Sequence, residues 1–160
     1  MNAVARSPDC LVITVSSSRA SGSAADDASG DLIALRLAQI PANSIRRVLI
    51  ADAVQAIQDA VIAASADLVI LTGGTGIAAD DVTPEAVRPL LHRELPGMAE
   101  AMRAAGLTKT PFAMLSRQLA GVRDRTLILA LPGSPGACQD CLDAVWPALP
   151  HALALIAGSH

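Results

Sequence analysis

Aromatic residues, cysteines and long apolar runs are scarce in this 160-residue chain. Its aromatic side chains are Trp146 and Phe112 and its net charge is −3, so we expect neither a base-stacking platform nor a general attraction to nucleic acid. Three cysteines are too few for a disulfide framework and are typical of a reducing, cytoplasmic setting. No stretch reaches the ~18 apolar residues of a membrane span, and residues 1–10 lack the apolar core of a signal peptide. We therefore expect neither membrane insertion nor export.

Strand and helix patterns alternate along the chain. Apolar runs rich in branched residues predict strands at Cys10–Ser16, Ser44–Ala51, Asp67–Thr72, Arg117–Val122 and Thr126–Leu131. We expect the first and third of these strands to be buried. Apolar residues at helical spacing predict a helix that begins at Ser29, and further helices at Ala53–Ser65, Thr83 to about Leu95, Met98–Leu107, Ala137–Val145 and Pro147–Ala157. The alternation predicts an α/β fold, with a mostly parallel sheet covered by helices on both faces. We expect a tail at residues 1–9, one domain at 10–157, and a loop at 17–28.

The glycine-rich turn Gly73–Gly76 directly follows the predicted strand Asp67–Thr72. A glycine held in one conformation costs about 0.5–1 kcal/mol relative to alanine, so three glycines in four residues indicate a purpose beyond a simple connection. In open α/β sheets, ligands bind beyond the carboxyl ends of the strands. Backbone N–H groups brought close to an anion, most often a phosphate, would explain this composition. A tight turn without a ligand is the alternative.

Carboxylates follow two of the predicted strands. Asp52 comes after the second strand, and Asp80 and Asp81 come shortly after the glycine turn. Carboxylates from adjacent strand ends can converge on one Mg²⁺, an ion that prefers oxygen ligands and usually binds substrate phosphates as well. The alternatives are that Asp52 caps the following helix and that Asp80 is a solvated neighbour. Residues 16–19, at the end of the first strand, either contact phosphate or are solvated.

Several motifs, in order along the chain, resemble those of one known family. They are Asp27–Gly30, Ala51–Asp52, Gly73–Ala86 (GGTGIAADDVTPEA), Arg93–Arg103 (RELPGMAEAMR), Leu115–Arg117, Ala120–Arg123 and Leu131–Pro135. Together they are similar to the signature of the MogA/MoaB molybdenum-cofactor biosynthesis family, over roughly residues 10–156. A lone Gly-Gly-Thr-Gly segment would not be specific, whereas the combination with this spacing is.

The resemblance implies a three-layer α/β/α molybdopterin-binding fold that is commonly trimeric and sometimes hexameric. In catalytic members, ATP adenylylates the terminal phosphate of molybdopterin before a partner protein inserts molybdenum. Carried over by motif, the catalytic aspartates are Asp52 and Asp81, with Asp80 as a further expected Mg²⁺ ligand. The implied substrate-binding residues are Gly73, Gly74, Thr75, Gly76, Ser29, Ser116 and Ser134.

Two departures from the family pattern leave alternatives open. Asp80 stands where an arginine is common, and Ala51 stands where a proline is usual. An Asp-Asp pair resembles the related competence-damage-type domain, whose members are nucleotide pyrophosphatases. A non-catalytic molybdopterin-binding relative is a further alternative. The pair Cys138 and Cys141 has the spacing of a redox or zinc motif, but without a second ligand pair we expect ordinary helix cysteines.

Overall fold

A six-stranded sheet forms the centre of the protein. The computed structural model describes residues 7–22 and 26–158. The strands lie side by side in the order β2-β1-β3-β6-β5-β4, and the four from β2 to β6 are parallel. β5 and β4 continue the sheet in antiparallel orientation. The strand bounds are β1 Asp9–Val15, β2 Ser44–Ile50, β3 Leu68–Thr72, β4 Arg93–Glu94, β5 Leu119–Arg123 and β6 Thr126–Leu131.

Helices cover both faces of this sheet. They are α1 Ser17–Ala20, α2 Ala28–Leu37, α3 Val54–Ala63, α4 Thr83–Val87, α5 Pro96–Leu107, α6 Pro135–Val145 and α7 Leu149–Ala157. Short 3₁₀ turns lie at Arg88–Leu90, Pro111–Leu115 and Trp146–Ala148. In the part of the chain that the structure describes, no helix combines the length and apolar character that a bilayer crossing requires.

Alternate residues of the central strands enter two separate cores, because successive side chains of a strand point to opposite faces. Val12 and Ile70 pack under α2, α5, α6 and α7, whereas Ile13 and Leu71 pack under α3 and α4. All four side chains are fully buried. Complete burial of an aliphatic side chain of this size stabilises the fold by roughly 1.5–3 kcal/mol. The predicted three-layer α/β/α architecture with a mostly parallel sheet is thus confirmed.

The expected helix from Thr83 to Leu95 is wrong. α4 ends at Val87, because Pro89 lacks the N–H that a continuing helix would need. The chain then forms the short edge strand β4, with bonds from His92 N to Val122 O at 2.9 Å and from Leu95 N to Ala120 O at 2.8 Å. The strand structure of this segment depends on its pairing with β5, which sequence periodicity does not reveal.

Two smaller expectations also need correction. The segment expected to be a loop at 17–28 contains α1, whose N-cap Ser16 accepts a hydrogen bond from Arg19 N at 3.4 Å. β5 begins at Leu119 rather than Arg117, because Arg117 N is bonded to Thr75 O at 2.7 Å instead of to a strand. Most of the expected tail at residues 1–9 lies outside the described residues, and Asp9 already belongs to β1.

The three cysteines are free and buried. Cys138 Sγ donates to Pro132 O at 3.0 Å and lies 3.2 Å from Thr72 Oγ1, so it packs beneath the turn that follows β6. Burial raises the pKa of Cys138 to about 11 and that of Cys141 to about 12. No group of three or more His, Cys, Asp or Glu side chains that could hold a metal is found within residues 7–22 and 26–158. These observations favour packing thiols over a redox or zinc pair.

We expect these thiols to make stability fall with rising pH. Burial raises the pKa of Cys10 to about 11 from its ordinary 9.0, so above pH 9 the unfolded chain releases thiol protons that the folded chain keeps. The free energy of unfolding should therefore decrease between pH 9 and 11. Urea titrations in reductant at several pH values would measure it. The variant Cys10→Ala/Cys141→Ala should show a flatter dependence, and equal slopes would contradict the assignment.

Candidate active site

The carboxyl ends of the parallel strands bring distant segments together at one edge of the sheet. The chain goes from β1 out to β2 and returns past β1 to β3, which makes a topological switch point between β1 and β3. Four segments follow the carboxyl ends of β1, β2, β3 and β6. They are residues 16–19, Asp52, the glycine loop 73–76 and the turn 132–134, respectively. A cleft of about 370 Å³ opens here, lined by Gly74, Thr75, Gly76, Ile77, Asp81, Phe112, Leu115, Ser116, Pro132, Gly133 and Ser134.

Gly73 closes the floor of the site at the point where β1, β3 and β6 end. Its φ is 100°, a conformation that side chains rarely adopt, and its N–H donates to Leu131 O at 3.1 Å. A Cβ at Gly73 would collide with Val15 O, and the Cβ position of Gly133 lies only 3.4 Å from Gly73 Cα. Position 73 therefore requires glycine, because neighbouring backbone atoms leave no room for a side chain.

All four carbonyl groups of the loop 73–76 accept hydrogen bonds from the protein itself. Thr83 Oγ1 donates to Gly73 O at 2.8 Å, and Thr83 N donates to Gly74 O at 3.0 Å. Arg117 N donates to Thr75 O at 2.7 Å, and Arg117 Nε donates to Gly76 O at 2.7 Å. The N–H groups of residues 74–77, by contrast, donate to no group among the described residues. The loop thus offers donors to a ligand while its acceptors are occupied.

Thr83 bonds to the glycine loop instead of capping a helix. A threonine before a proline is typical of a helix N-cap, but the Thr83 hydroxyl bonds to Gly73 O, and no side chain caps α4. Thr83 also explains the glycine at position 74, because a Cβ there would collide with Thr83 Oγ1 and lie 3.3 Å from Asp52 Oδ1. The crowding at Gly74 therefore comes from protein atoms.

Asp52 and Asp81 flank the loop at its two ends. Asp52 Oδ2 accepts from Ser17 N at 2.7 Å, while Asp52 N donates to Ser17 Oγ at 3.0 Å, and this reciprocal pair fixes the side chain beside Gly74. Asp81 Oδ2 accepts from Ala78 N at 2.9 Å and lies 2.6 Å from the position of a Cβ on Gly76. In each carboxylate the Oδ1 oxygen has no hydrogen-bond donor among the described residues.

The other predicted site residues lie at varying positions. Ser116 and Ser134 line the cleft; Ser116 Oγ is 3.4 Å from Thr75 Oγ1, and Ser134 Oγ caps α6 by accepting from Ala137 N at 3.3 Å. Asp80 is exposed and forms no hydrogen bond or ion pair with a described residue. Ser29 does not line the cleft; it is buried in the first turn of α2, with 2% exposed.

The motif around Ser29 fixes α2 to the sheet. Asp27, its N-cap, accepts from Gly30 N at 3.0 Å, from Thr14 Oγ1 at 2.8 Å and from Arg47 Nη2 at 2.8 Å. Burial alone would raise the pKa of Asp27, but these hydrogen bonds and the Arg47 charge outweigh it and hold the pKa below its ordinary value. Asp27 thus anchors the first turn of α2 to the end of β1.

Arg117 is the site residue that sequence reasoning missed. It was matched only as part of a motif, with no role assigned to it. Besides Gly76 O, its guanidinium reaches Asp81 O from Nη2 at 2.7 Å, and Nη1 forms an ion pair with Glu85. The sequence signal was the position of Arg117 directly after Ser116, but its partners at positions 76, 81 and 85 become neighbours only in the fold.

These features define an α/β protein with a glycine loop and two carboxylates at the switch point of its sheet, the place where ligands of such sheets commonly bind. Residues 11–151 match the family model described as "Probable molybdopterin binding domain", and the chain belongs to this family. The expected family membership is therefore confirmed.

Similar proteins have been characterised in bacteria. The molybdopterin biosynthesis enzyme MoaB from Thermus thermophilus is 44% identical to this chain in sequence. Its crystal structure matches this one with a TM-score of 0.84, over 94% of this chain and 97% of that chain. A molybdopterin adenylyltransferase of Helicobacter pylori strain J99 is 49% identical over 94 residues, which cover 59% of this chain and 53% of the relative. A bifunctional molybdenum-cofactor biosynthesis protein of Synechococcus elongatus is 39% identical over 151 residues, 92% of this chain and 47% of the relative. The chain thus spans about half the length of these curated relatives.

We expect Gly73→Ala to destabilise the protein by about 2 kcal/mol or more, because it combines a strained φ with a collision against Val15 O. Gly136→Ala is the matched control, since it lies in α6 and a Cβ there meets nothing within 4 Å. The control should be neutral or more stable by about 0.5–1 kcal/mol. Urea unfolding of both variants measures the difference, and similar stabilities would refute the close packing at Gly73.

Proposed function

We propose that this protein transfers AMP from ATP to the terminal phosphate of molybdopterin, giving adenylyl-molybdopterin and pyrophosphate. The observation that carries the proposal is the loop 73–76, with its carbonyls occupied and the N–H groups of residues 74–77 unpaired among the described residues. Asp52 and Asp81 flank that loop. The H. pylori relative carries the name of this activity, and its alignment supports the same reaction here.

Adenylyl transfer needs two anionic substrates held in line and little covalent chemistry from the protein. A phosphate oxygen of molybdopterin attacks the α-phosphorus of ATP; one P–O bond forms, and the bond to pyrophosphate breaks. The loop N–H groups position phosphate oxygens without adding a side-chain charge. Neither Asp52 nor Asp81 forms a covalent bond with a substrate, since the reaction needs no protein nucleophile.

We propose that Asp52 and Asp81 are the residues that would hold a Mg²⁺ ion. This ion is commonly bound by one or two carboxylates together with substrate phosphates. Each aspartate has one oxygen fixed by a backbone N–H, which leaves Oδ1 for the metal. When bound, the ion would neutralise phosphate charge. The described residues contain no group of three or more His, Cys, Asp or Glu side chains that could share a metal, so Asp80, exposed beside Asp81, is proposed only as a carboxylate outside the direct ligand set.

One assay separates this proposal from its two alternatives. The protein is incubated with ATP and Mg²⁺, with and without molybdopterin, and in a separate reaction with ADP-ribose and Mg²⁺. The products are resolved by chromatography and mass spectrometry. An adenylyltransferase yields adenylyl-molybdopterin and pyrophosphate only when both substrates are present. A non-catalytic binding protein yields neither product. A nucleotide pyrophosphatase cleaves ADP-ribose to AMP and ribose 5-phosphate without molybdopterin.

We expect Asp81→Asn to lower turnover by about 10²-fold, on the order of 3 kcal/mol in the barrier, because it removes a metal-binding charge. Folding should be unaffected, since an amide oxygen can still accept from Ala78 N. Asp52→Asn should bind molybdopterin and lose adenylylation, because interactions made mainly in the transition state affect turnover rather than affinity.

Asp59→Asn is the matched control, since Asp59 lies on α3 and, among the described residues, its side chain bonds only to Gln55 Nε2, at 2.7 Å. Calorimetric titration with molybdopterin and the product assay test all three variants. Near-normal turnover of Asp81→Asn at saturating Mg²⁺ would remove Asp81 from the mechanism. Loss of molybdopterin binding in Asp52→Asn would contradict the division between binding and catalysis.

We also propose that the protein is a cytoplasmic homotrimer that passes its product to a molybdenum-insertion protein. The bifunctional S. elongatus relative supports a coupling of two steps of cofactor synthesis. Large apolar side chains exposed on the isolated chain include Leu35, Ile77, Phe112, Met114 and Leu155, and Phe112 is 76% exposed. Subunit contacts would bury part of this surface.

The assembly is tested by sedimentation equilibrium at micromolar concentration. We expect three times the mass of the 16.3 kDa chain, because exposed apolar surface favours association. A hexamer would indicate that two trimers pair. A stable monomer would contradict the proposed assembly.

A further inference from the structure

We propose that Arg117 is a positioning residue that holds the glycine loop and Asp81 in the geometry required for phosphate binding and catalysis. Its guanidinium contacts three residues at once, through Gly76 O and Asp81 O at 2.7 Å each and through the ion pair with Glu85. Its backbone N–H donates to a fourth residue, at Thr75 O, at 2.7 Å. The catalytic part of this inference rests on the proposed function, whereas the structural part does not.

Peptide planarity links these contacts to ligand binding. In a trans peptide, the carbonyl of one residue and the N–H of the next point in opposite directions. A donor that fixes Gly76 O therefore aims the N–H of Ile77 away from Arg117, and the bond to Thr75 O does the same for the N–H of Gly76. Thr83 acts in this way on the N–H groups of residues 74 and 75. Thr83 and Arg117 thus orient two amides each.

The same guanidinium sets the position of a proposed metal ligand. Nη2 holds Asp81 O, and Asp81 N in turn donates to Ala78 O at 3.0 Å, so the turn 78–81 is fastened to the loop. A planar fork with fixed donors can reach three acceptors together, whereas a lysine ammonium is a single point on a flexible stem. Glu85 fixes the rotation of the fork, and the bond from Arg117 lowers the pKa of Glu85 below its ordinary value. Because this ion pair is half exposed, its charge adds little stability.

The test compares Arg117→Ala, Arg117→Lys and Glu85→Gln in steady-state adenylylation at saturating Mg²⁺. We expect kcat of Arg117→Ala to fall at least ~30-fold with a thermal midpoint close to that of the wild type. Arg117→Lys should recover little, since the three donors of an ammonium lie on one nitrogen and cannot reach acceptors spaced around a planar guanidinium. Glu85→Gln should lose only a few-fold in kcat, because its amide oxygen can still accept from Nη1. Added guanidinium, at concentrations that do not denature, should partly restore Arg117→Ala but not Asp81→Asn.

Amide hydrogen exchange by NMR tests the structural part without any turnover. In Arg117→Ala, the amides of Ala78, Asp81 and Thr83 should exchange at least ~10-fold faster, whereas Gly73 N, bonded to Leu131 O, should keep its protection. Turnover within a few-fold of the wild type would overturn the proposal. So would a lost activity that guanidinium does not restore, or unchanged exchange at these three amides. If the wild type itself lacks adenylylation, the proposed function fails, and the exchange experiment alone decides the role of Arg117.

Discussion

The absence of space for a side chain at Gly73 is the constraint on which the site depends. Three strands of the sheet end around this residue, with Val15 O at its missing Cβ, Leu131 O on its N–H, and Gly133 against its Cα. A larger residue would separate the strand ends. The loop could then not cross the sheet edge close enough to lie between Asp52 and Asp81. Fold and site are therefore specified by the same packing.

The loop also explains how an acidic chain can bind anionic substrates. The net charge is −3, and two carboxylates flank the loop, so long-range attraction does not favour a phosphate. Oriented N–H dipoles provide a short-range substitute, because an anion within hydrogen-bond distance of several amides gains stabilisation that distant charges do not offset. Binding by this route requires that the loop carbonyls point elsewhere. Thr83 and Arg117 ensure that they do.

Much of this architecture could be predicted from local sequence signals. Branched apolar runs predicted the bounds of β1, β3 and β6 within one residue, because strands buried on both faces consist almost entirely of such residues. The bounds of β2 were predicted equally well, although this edge strand is largely exposed. The glycine turn and Asp81 were placed correctly at the sheet edge, since both follow directly from a strand end. Motif resemblance supplied the family, which the comparison confirmed.

What could not be predicted depends on contacts between residues distant along the chain. Position 83 suggested a helix cap, because a threonine before a proline commonly acts as one, yet its hydroxyl is taken by Gly73 O. The edge strand β4 depends on its pairing with β5, and the role of Arg117 depends on acceptors up to 41 residues away. Local periodicity carries no information about such partners.

In the proposed mode of binding, the N–H groups of residues 74–77 hold the terminal phosphate of molybdopterin. A crystal structure of this chain with molybdopterin decides whether they do. Phosphate oxygens should lie within roughly 2.7–3.2 Å of at least two of these backbone nitrogens, with the loop carbonyls still bonded to Thr83 and Arg117. A phosphate held elsewhere on the protein, with these amides facing solvent, would contradict it.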